Sequence, residues 1–284
     1  CEGIILATLD TGVDSKHPDL DGQILDTRDF TGSIFGPEDR HGHGTHTTGT
    51  CVANANEIGV RGACFKAKAL HAKVLGDNGA GTDRAIEQGM LWAHSKGAHI
   101  FSLSLGGPQM SERLRRVFTD IAADGKFIFA ASGNDGGSVN FPARWPECVR
   151  VGAADQNGRL TRFTSRGPEL DIIAPGVNIL STIPGGRYAV MSGTSMATPL
   201  AASIGALALA KHQQRGGNTD LKNVAQMREH LKRTAKSTPD GYGLVDPINL
   251  LKEQIGDVVT DEYPLGPYTF DLGPIHLKVY AKLG

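Results

Sequence analysis

The sequence predicts an α/β protein: a three-layer sandwich with a mostly parallel central sheet and helices on both faces. Three observations carry this. Short, continuous apolar runs recur through the first half of the chain, the pattern of strands buried on both faces. Helical patterns lie between those runs, and such alternation favours parallel pairing. Glycine is abundant, at 37 of 284 residues, while aromatics make up only 6%, which suits a fold with many tight turns.

The first strand is "GIILATLD" (Gly3–Asp10), an apolar run that ends in a carboxylate. Further core strands are expected in Lys66–Leu75, Gly97–Leu105, Lys126–Ser132 and Cys148–Ala154. Helices are expected over Thr82–Lys96 and Ser111–Asp124, the second with Ser111 as N-cap and Gly125 as stop. Later, "YAVMSGTSMATPLAASIGALALAKHQ" runs from a strand through a Gly-Thr-Ser turn into a long apolar helix. Two more helices follow at about Asp220–Ala235 and Asp246–Gln254. The segment Ile255–Gly284 carries three prolines and ends in an alternating, strand-like "IHLKVYAKLG". In sheets of this kind, sites form at the carboxyl ends of the strands.

Composition narrows the function. The formal net charge is −1 with no long run of one sign, so no nucleic-acid or anionic-membrane partner is expected. The longest apolar run, around Ala201 to Ala210, is about half of a membrane span. Four cysteines occur without a CxxC, which argues against structural zinc. Cys51 and Cys148 read as buried free thiols, and the even count leaves disulfides and compartment open. The chain begins at Cys1 with neither an initiator Met nor a signal peptide, the appearance of a processed chain.

The stretch "RHGHGTHTTGT" places His41, His43 and His46 within six residues. A metal site would need further paired ligands, and the template H-x-H-x-D-H wants Asp where Thr45 stands. Ser195 offers another partner. It sits at a strand-to-helix junction, near free N–H groups and the positive end of a helix, with Pro199 near the first turn. A serine nucleophile needs a base, and the base needs an orienting carboxylate. Asp10 ends the first strand, and His43 opens a helix.

"LDTGVDSKHPDL", "HGHGTHTTGT", "AASGNDG" and "SGTSMATP" together resemble the four motifs of the subtilisin-like (subtilase) serine endopeptidases, whose chain order is Asp, His, Ser. The resemblance covers about Gly3 to Gln254. It implies Ser195 as nucleophile, His43 as general base, Asp10 as the group that orients it, and Asn134 with the Ser195 N–H as oxyanion donors. His46 is then a structural helix residue and His41 a solvated loop histidine. Ser104, Leu105 and Gly106 are expected to form an extended edge that pairs with substrate backbone. Ala131, Ser132 and Gly133 are expected to line the other side of the specificity pocket, whose floor falls around Val139–Phe141. Extended polypeptide is the implied substrate, and a pro-segment or proteinaceous inhibitor the implied partner.

The resemblance also implies a structural calcium ion, held by Asp19, the Asn56 side chain and the carbonyls of Asn54, Ile58 and Val60. One departure is that the family site takes a further ligand from an N-terminal segment absent here. Most relatives are secreted, whereas "KVLGDNGAGT" and "SLSLGGP" resemble the intracellular bacterial branch. Residues 1–254 read as one peptidase domain and 255–284 as an extension of unknown role.

Three rival functions differ in what they require. A transpeptidase or macrocyclase would use the same triad, with an amine replacing water. A silent binding scaffold is disfavoured by the complete set of catalytic residues. "DTG" at Asp10–Gly12 also matches aspartic proteases, which need a second such motif; the chain has none.

Overall fold

The computed structural model describes residues 1–214 and 221–252. The extension expected at 255–284 lies outside them. In chain order the elements are β1 (Ile5–Asp10), β2 (Ile24–Asp29), α1 (His43–Val52), β3 (Lys68–Lys73), α2 (Asp83–Ser95), β4 (Ile100–Leu103), α3 (Glu112–Ala123), β5 (Phe127–Ala131), β6 (Cys148–Ala154), β7 (Ile172–Pro175), β8 (Ile179–Ile183), β9 (Arg187–Met191), α4 (Thr194–Gln214), α5 (Val224–Thr234), β10 (Lys236–Ser237), β11 (Gly243–Leu244) and α6 (Pro247–Lys252). Nine strands form one sheet in the order β10-β11-β7-β6-β5-β4-β1-β3-β2, while β8 and β9 form a separate antiparallel hairpin. All neighbours in the large sheet are parallel except β10 and β11.

The apolar runs sort onto two faces with the strand period of two. Leu6, Ile100, Phe127, Phe129, Val149 and Val151 belong to the core shared with α1, α4 and α5. Ala7, Leu9, Phe101, Leu103, Ile128 and Ala130 belong to the core under α2 and α3. Helix α4 is apolar on nearly all sides and buried along most of its length, as its sequence requires of a helix laid between a sheet and other helices. Helices α2 and α3 are capped by Thr82 and Ser111, whose side chains accept from the N–H groups of Ala85 and Leu114.

The same period places functional side chains. Thr8 and Asp10 follow Leu6 on the α1 side of β1, and His71 and Lys73 follow Ala69 on the α1 side of β3. At the far side of the sheet, Asp171 pairs with Arg150, Arg228 and Lys232, which ties α5 to β6 and β7. Cys1 is disulfide-bonded to Cys64, and Cys51 and Cys148 are buried free thiols. Among the described residues no helix is long and apolar enough to cross a membrane.

Candidate active site

The carboxyl ends of β1, β4 and β5 and the N-terminus of α4 meet at a cleft of about 540 Å³, lined by His43, Ser104, Leu105, Gly106, Ala131, Gly133, Asn134 and Ser195 among others. Asp10 lies beneath it, almost fully buried. His43 Nδ1 sits 2.6 Å from Asp10 Oδ1. Asp10 also accepts from the Thr11 N–H at 2.8 Å and the Thr47 hydroxyl at 3.1 Å. With a carboxylate at Nδ1, the proton belongs on that nitrogen, and Nε2 is left as the free base. Burial disfavours charge on His43, but the Asp10 carboxylate outweighs it, so the imidazole titrates above the usual 6.5. Burial likewise opposes the Asp10 charge, but His43 and the Thr11 N–H hold its carboxyl below the usual range.

Helix α1 opens on Gly42, in the left-handed region, with no side-chain cap of its own. Asp39, four residues ahead of His43, serves instead. It accepts from the N–H groups of His41, Gly42 and Thr45 and from the hydroxyls of Thr11 and Thr45, at 2.7–3.0 Å. Thr11 in turn accepts from the Gly44 N–H at 2.9 Å. Of the first-turn donors of α1, Gly44 is thus bonded to the turn that follows β1 and Thr45 to Asp39, which Thr11 also bonds. The approach is close: a Cβ on Gly44 would lie 2.2 Å from the Gly12 carbonyl.

Ser195 lies in the first turn of α4. Pro199 has no N–H to bond the Ser195 carbonyl four residues back. That carbonyl accepts from the Ser104 hydroxyl instead, at 2.7 Å. The Ser195 hydroxyl donates to the Ser104 carbonyl at 3.3 Å, so in this resting arrangement it has to rotate to reach His43. Asn134 is exposed to the cleft. Its Oδ1 accepts from the Thr194 N–H and hydroxyl at 2.8 and 3.0 Å, which leaves its NH2 group to face a ligand.

The expected lining needs one correction. Ser132 is completely buried and does not reach the cleft. It follows the last residue of β5 with its side chain turned inward, and its carbonyl accepts from the Asn140 N–H at 2.8 Å. Of the expected floor, Asn140 lines the cleft, whereas Val139 is buried. His46 is buried in α1 with Nε2 at 3.0 Å from the Ile179 carbonyl. His41 is exposed at the cleft rim, its ring 6.2 Å from that of His43.

Asp19 and the loop 54–60 come together away from the cleft. Asp19 is buried; Oδ1 accepts from the Asn56 amide at 3.1 Å, and Oδ2 from the Val60 N–H at 2.8 Å. The Tyr188 hydroxyl also bonds this carboxylate. One carboxylate, one amide oxygen and backbone carbonyls are hard donors that fit calcium better than a transition metal. Among the described residues no group of three or more His, Cys, Asp or Glu side chains could hold a metal.

Sequence reasoning passed over Asp39, Thr11, Thr47 and Ser104's bond to α4. Only Asp39 carried a local signal, an acid just ahead of a helix N-terminus.

Residues 2–252 match the family model described as the subtilase family, peptidase S8. Subtilisin Savinase of Lederbergia lenta is 44% identical over 249 residues, 86% of this chain and 89% of that protein. The alkaline protease of Shouchella clausii is also 44% identical over 249 residues, which span 63% of its length. Subtilisin E of Bacillus subtilis (strain 168) is 40% identical over 236 residues, 81% of this chain and 60% of that protein.

Asp39→Ala strips five donors of their acceptor. It is expected to lower stability by about 3 kcal/mol, as read by equilibrium denaturant unfolding; a loss below about 1 kcal/mol would show that water replaces the carboxylate.

Proposed function

The chain belongs to the subtilase family of serine endopeptidases, and from that premise we propose that Asp10, His43, Ser195 and Asn134 carry peptide-bond hydrolysis. The observation that supports this most is the 2.6 Å bond between His43 and buried Asp10, with His43, Asn134 and Ser195 on one cleft.

In this reading His43 Nε2 takes the Ser195 proton as the hydroxyl attacks the scissile carbonyl. Asp10 holds the imidazole in the tautomer that leaves Nε2 free, and stabilises the imidazolium that forms. The Asn134 NH2 group and the Ser195 N–H, at the positive end of α4, receive the oxyanion. His43 then protonates the leaving amine. Water, activated by the same base, releases the acyl group from Ser195. Substrate lies extended along Ser104, Leu105 and Gly106, with Ala131 and Gly133 opposite. Main-chain pairing of this kind accepts many sequences. Residues 1–254 form the peptidase domain in this proposal, and 255–284 an extension.

The loop around Asp19 is proposed to take a calcium ion through the Asp19 carboxylate, the Asn56 side-chain oxygen and the carbonyls of Asn54, Ile58 and Val60. The ion supplies charge to brace the loop and takes no part in the reaction. Because Asn56 presents its NH2 group to Asp19, binding calls for that amide to flip. Three donors already satisfy Asp19, so the ion is an added brace.

A fluorophosphonate should label Ser195 stoichiometrically, as mapped by mass, and labelling should vanish in Ser195→Ala. A folded wild-type protein that stays unlabelled would overturn the assignment. Because the base acts when neutral, kcat/KM should rise with pH with a midpoint above 6.5. A midpoint below 6.5 would mean that Asp10 does not raise the base in solution. The Asp10–His43 attraction stabilises the fold below 6.5 and is lost as pH rises through the raised His43 value. Chelation by EDTA should lower Tm relative to millimolar calcium, and an unchanged melt would remove calcium from the account.

A further inference from the structure

His71 is a fully buried histidine that the reaction does not use. Its strand position puts it opposite Thr8 and two residues before Lys73, on the face of the sheet that carries Asp10. Both ring nitrogens are engaged. Nδ1 lies 2.8 Å from the Thr8 hydroxyl and 3.1 Å from the Thr48 hydroxyl, and those hydroxyls are 2.9 Å apart. Nε2 accepts from the Gly12 N–H at 3.2 Å.

These partners decide the tautomer. A backbone N–H can only donate, so Nε2 carries a lone pair and the proton sits on Nδ1. The neutral ring therefore reaches three elements. Thr8 belongs to β1, two residues before Asp10. Thr48 follows Thr47, which bonds Asp10 from α1. Gly12 closes the turn whose Thr11 bonds Asp10, Asp39 and Gly44. At Gly12 the backbone has φ +113°, and a Cβ there would meet the Glu38 carbonyl at 2.6 Å. The turn has no side chain of its own at Gly12 to anchor it; the His71 ring supplies one anchor there from β3, beside Lys73, whose ammonium donates to the Thr11 carbonyl.

We propose that His71 is a positioning residue for the reaction: as a neutral imidazole it pins the turn after β1 to β3 and α1, and so holds Asp10 in place for His43. The inference rests on the reading of Asp10 as the group that orients His43. Protonation would turn Nε2 into a donor facing the Gly12 N–H donor. The bond that holds the turn at Gly12 would become a repulsion. The charged groups around the ring are Asp10 on β1, Asp39 ahead of α1 and Lys73 on β3. Burial dominates, and with Lys73 it outweighs the two carboxylates, so His71 is held down at about 4. His71 thus favours the fold above 6.5, and that support is lost as pH falls toward about 4.

Two variants separate positioning from packing. His71→Leu keeps bulk and removes the hydrogen bonds of both ring nitrogens. His71→Gln restores an acceptor for Gly12 that does not titrate. Each is read per active site, counted with a fluorophosphonate, on a chromogenic peptide anilide from pH 4 to 9. His71→Leu is expected to lose about tenfold or more in kcat with KM within about twofold. His71→Gln is expected to recover kcat to within about threefold of wild type. It should also move the midpoint of acid unfolding, followed by near-UV circular dichroism well below the His43 titration, down by about half a pH unit or more. Wild-type kcat per site in His71→Leu overturns the proposal. Should that variant fail to fold, an unmoved acid-unfolding midpoint in His71→Gln overturns it. Asp10→Asn is the control: a loss of about 10⁴ in kcat beside silent His71 variants sinks this inference alone, whereas wild-type kcat in Asp10→Asn sinks the triad reading itself.

Discussion

The close backbone approach between helix α1 and the turn after β1 is the constraint on which the site depends. Gly44 and Gly12 meet there with no room for a Cβ. A backbone contact that tight is tolerable only if the polar groups it buries find partners. Asp39 and Thr11 provide them, and both belong to the segments that meet. The 2.6 Å bond between Asp10 and His43 follows from this docking. Two residues 33 positions apart face one another because the chain around them is clamped backbone to backbone.

Ser195 is placed by a different device. Helix α4 is held by apolar contact along its length, which fixes its axis better than its end. The end is set by Ser104, which exchanges bonds with Ser195 in both directions. The missing N–H of Pro199 makes the Ser195 carbonyl available for that exchange. Proline near the start of this helix thus has a cross-chain consequence beyond its fit to helical geometry. It ties the serine to the segment expected to hold substrate.

Much of this was legible in the sequence, for definable reasons. The strands β1, β3, β4, β5 and β6 are buried on both faces and so appear as continuous apolar runs. Strand β2, at the sheet edge with the sequence ILDTRD, is half exposed and carries no such run. The short strand β7 lacks the length to stand out. Asp10, His43, Asn134 and Ser195 announce themselves because each sits in a local motif whose glycines and threonines serve the same turn. Asp39 and His71 act through bonds to backbone or hydroxyl groups on other elements, and no short window contains both partners. The expectation for Ser132 failed on the direction of its side chain, which is buried just past β5 while its neighbours Ala131 and Gly133 line the cleft.

The disulfide between Cys1 and Cys64 has a consequence for a protease exposed to its own activity. It closes a ring of chain around β1, β2 and α1, with Asp10 and His43 inside and Asn134 and Ser195 outside. A single backbone nick anywhere within that ring releases no fragment. The severed ends stay tethered, the loop 54–60 with them, and Asp10 and His43 remain on one covalent molecule, able to re-form their contact rather than diffuse apart.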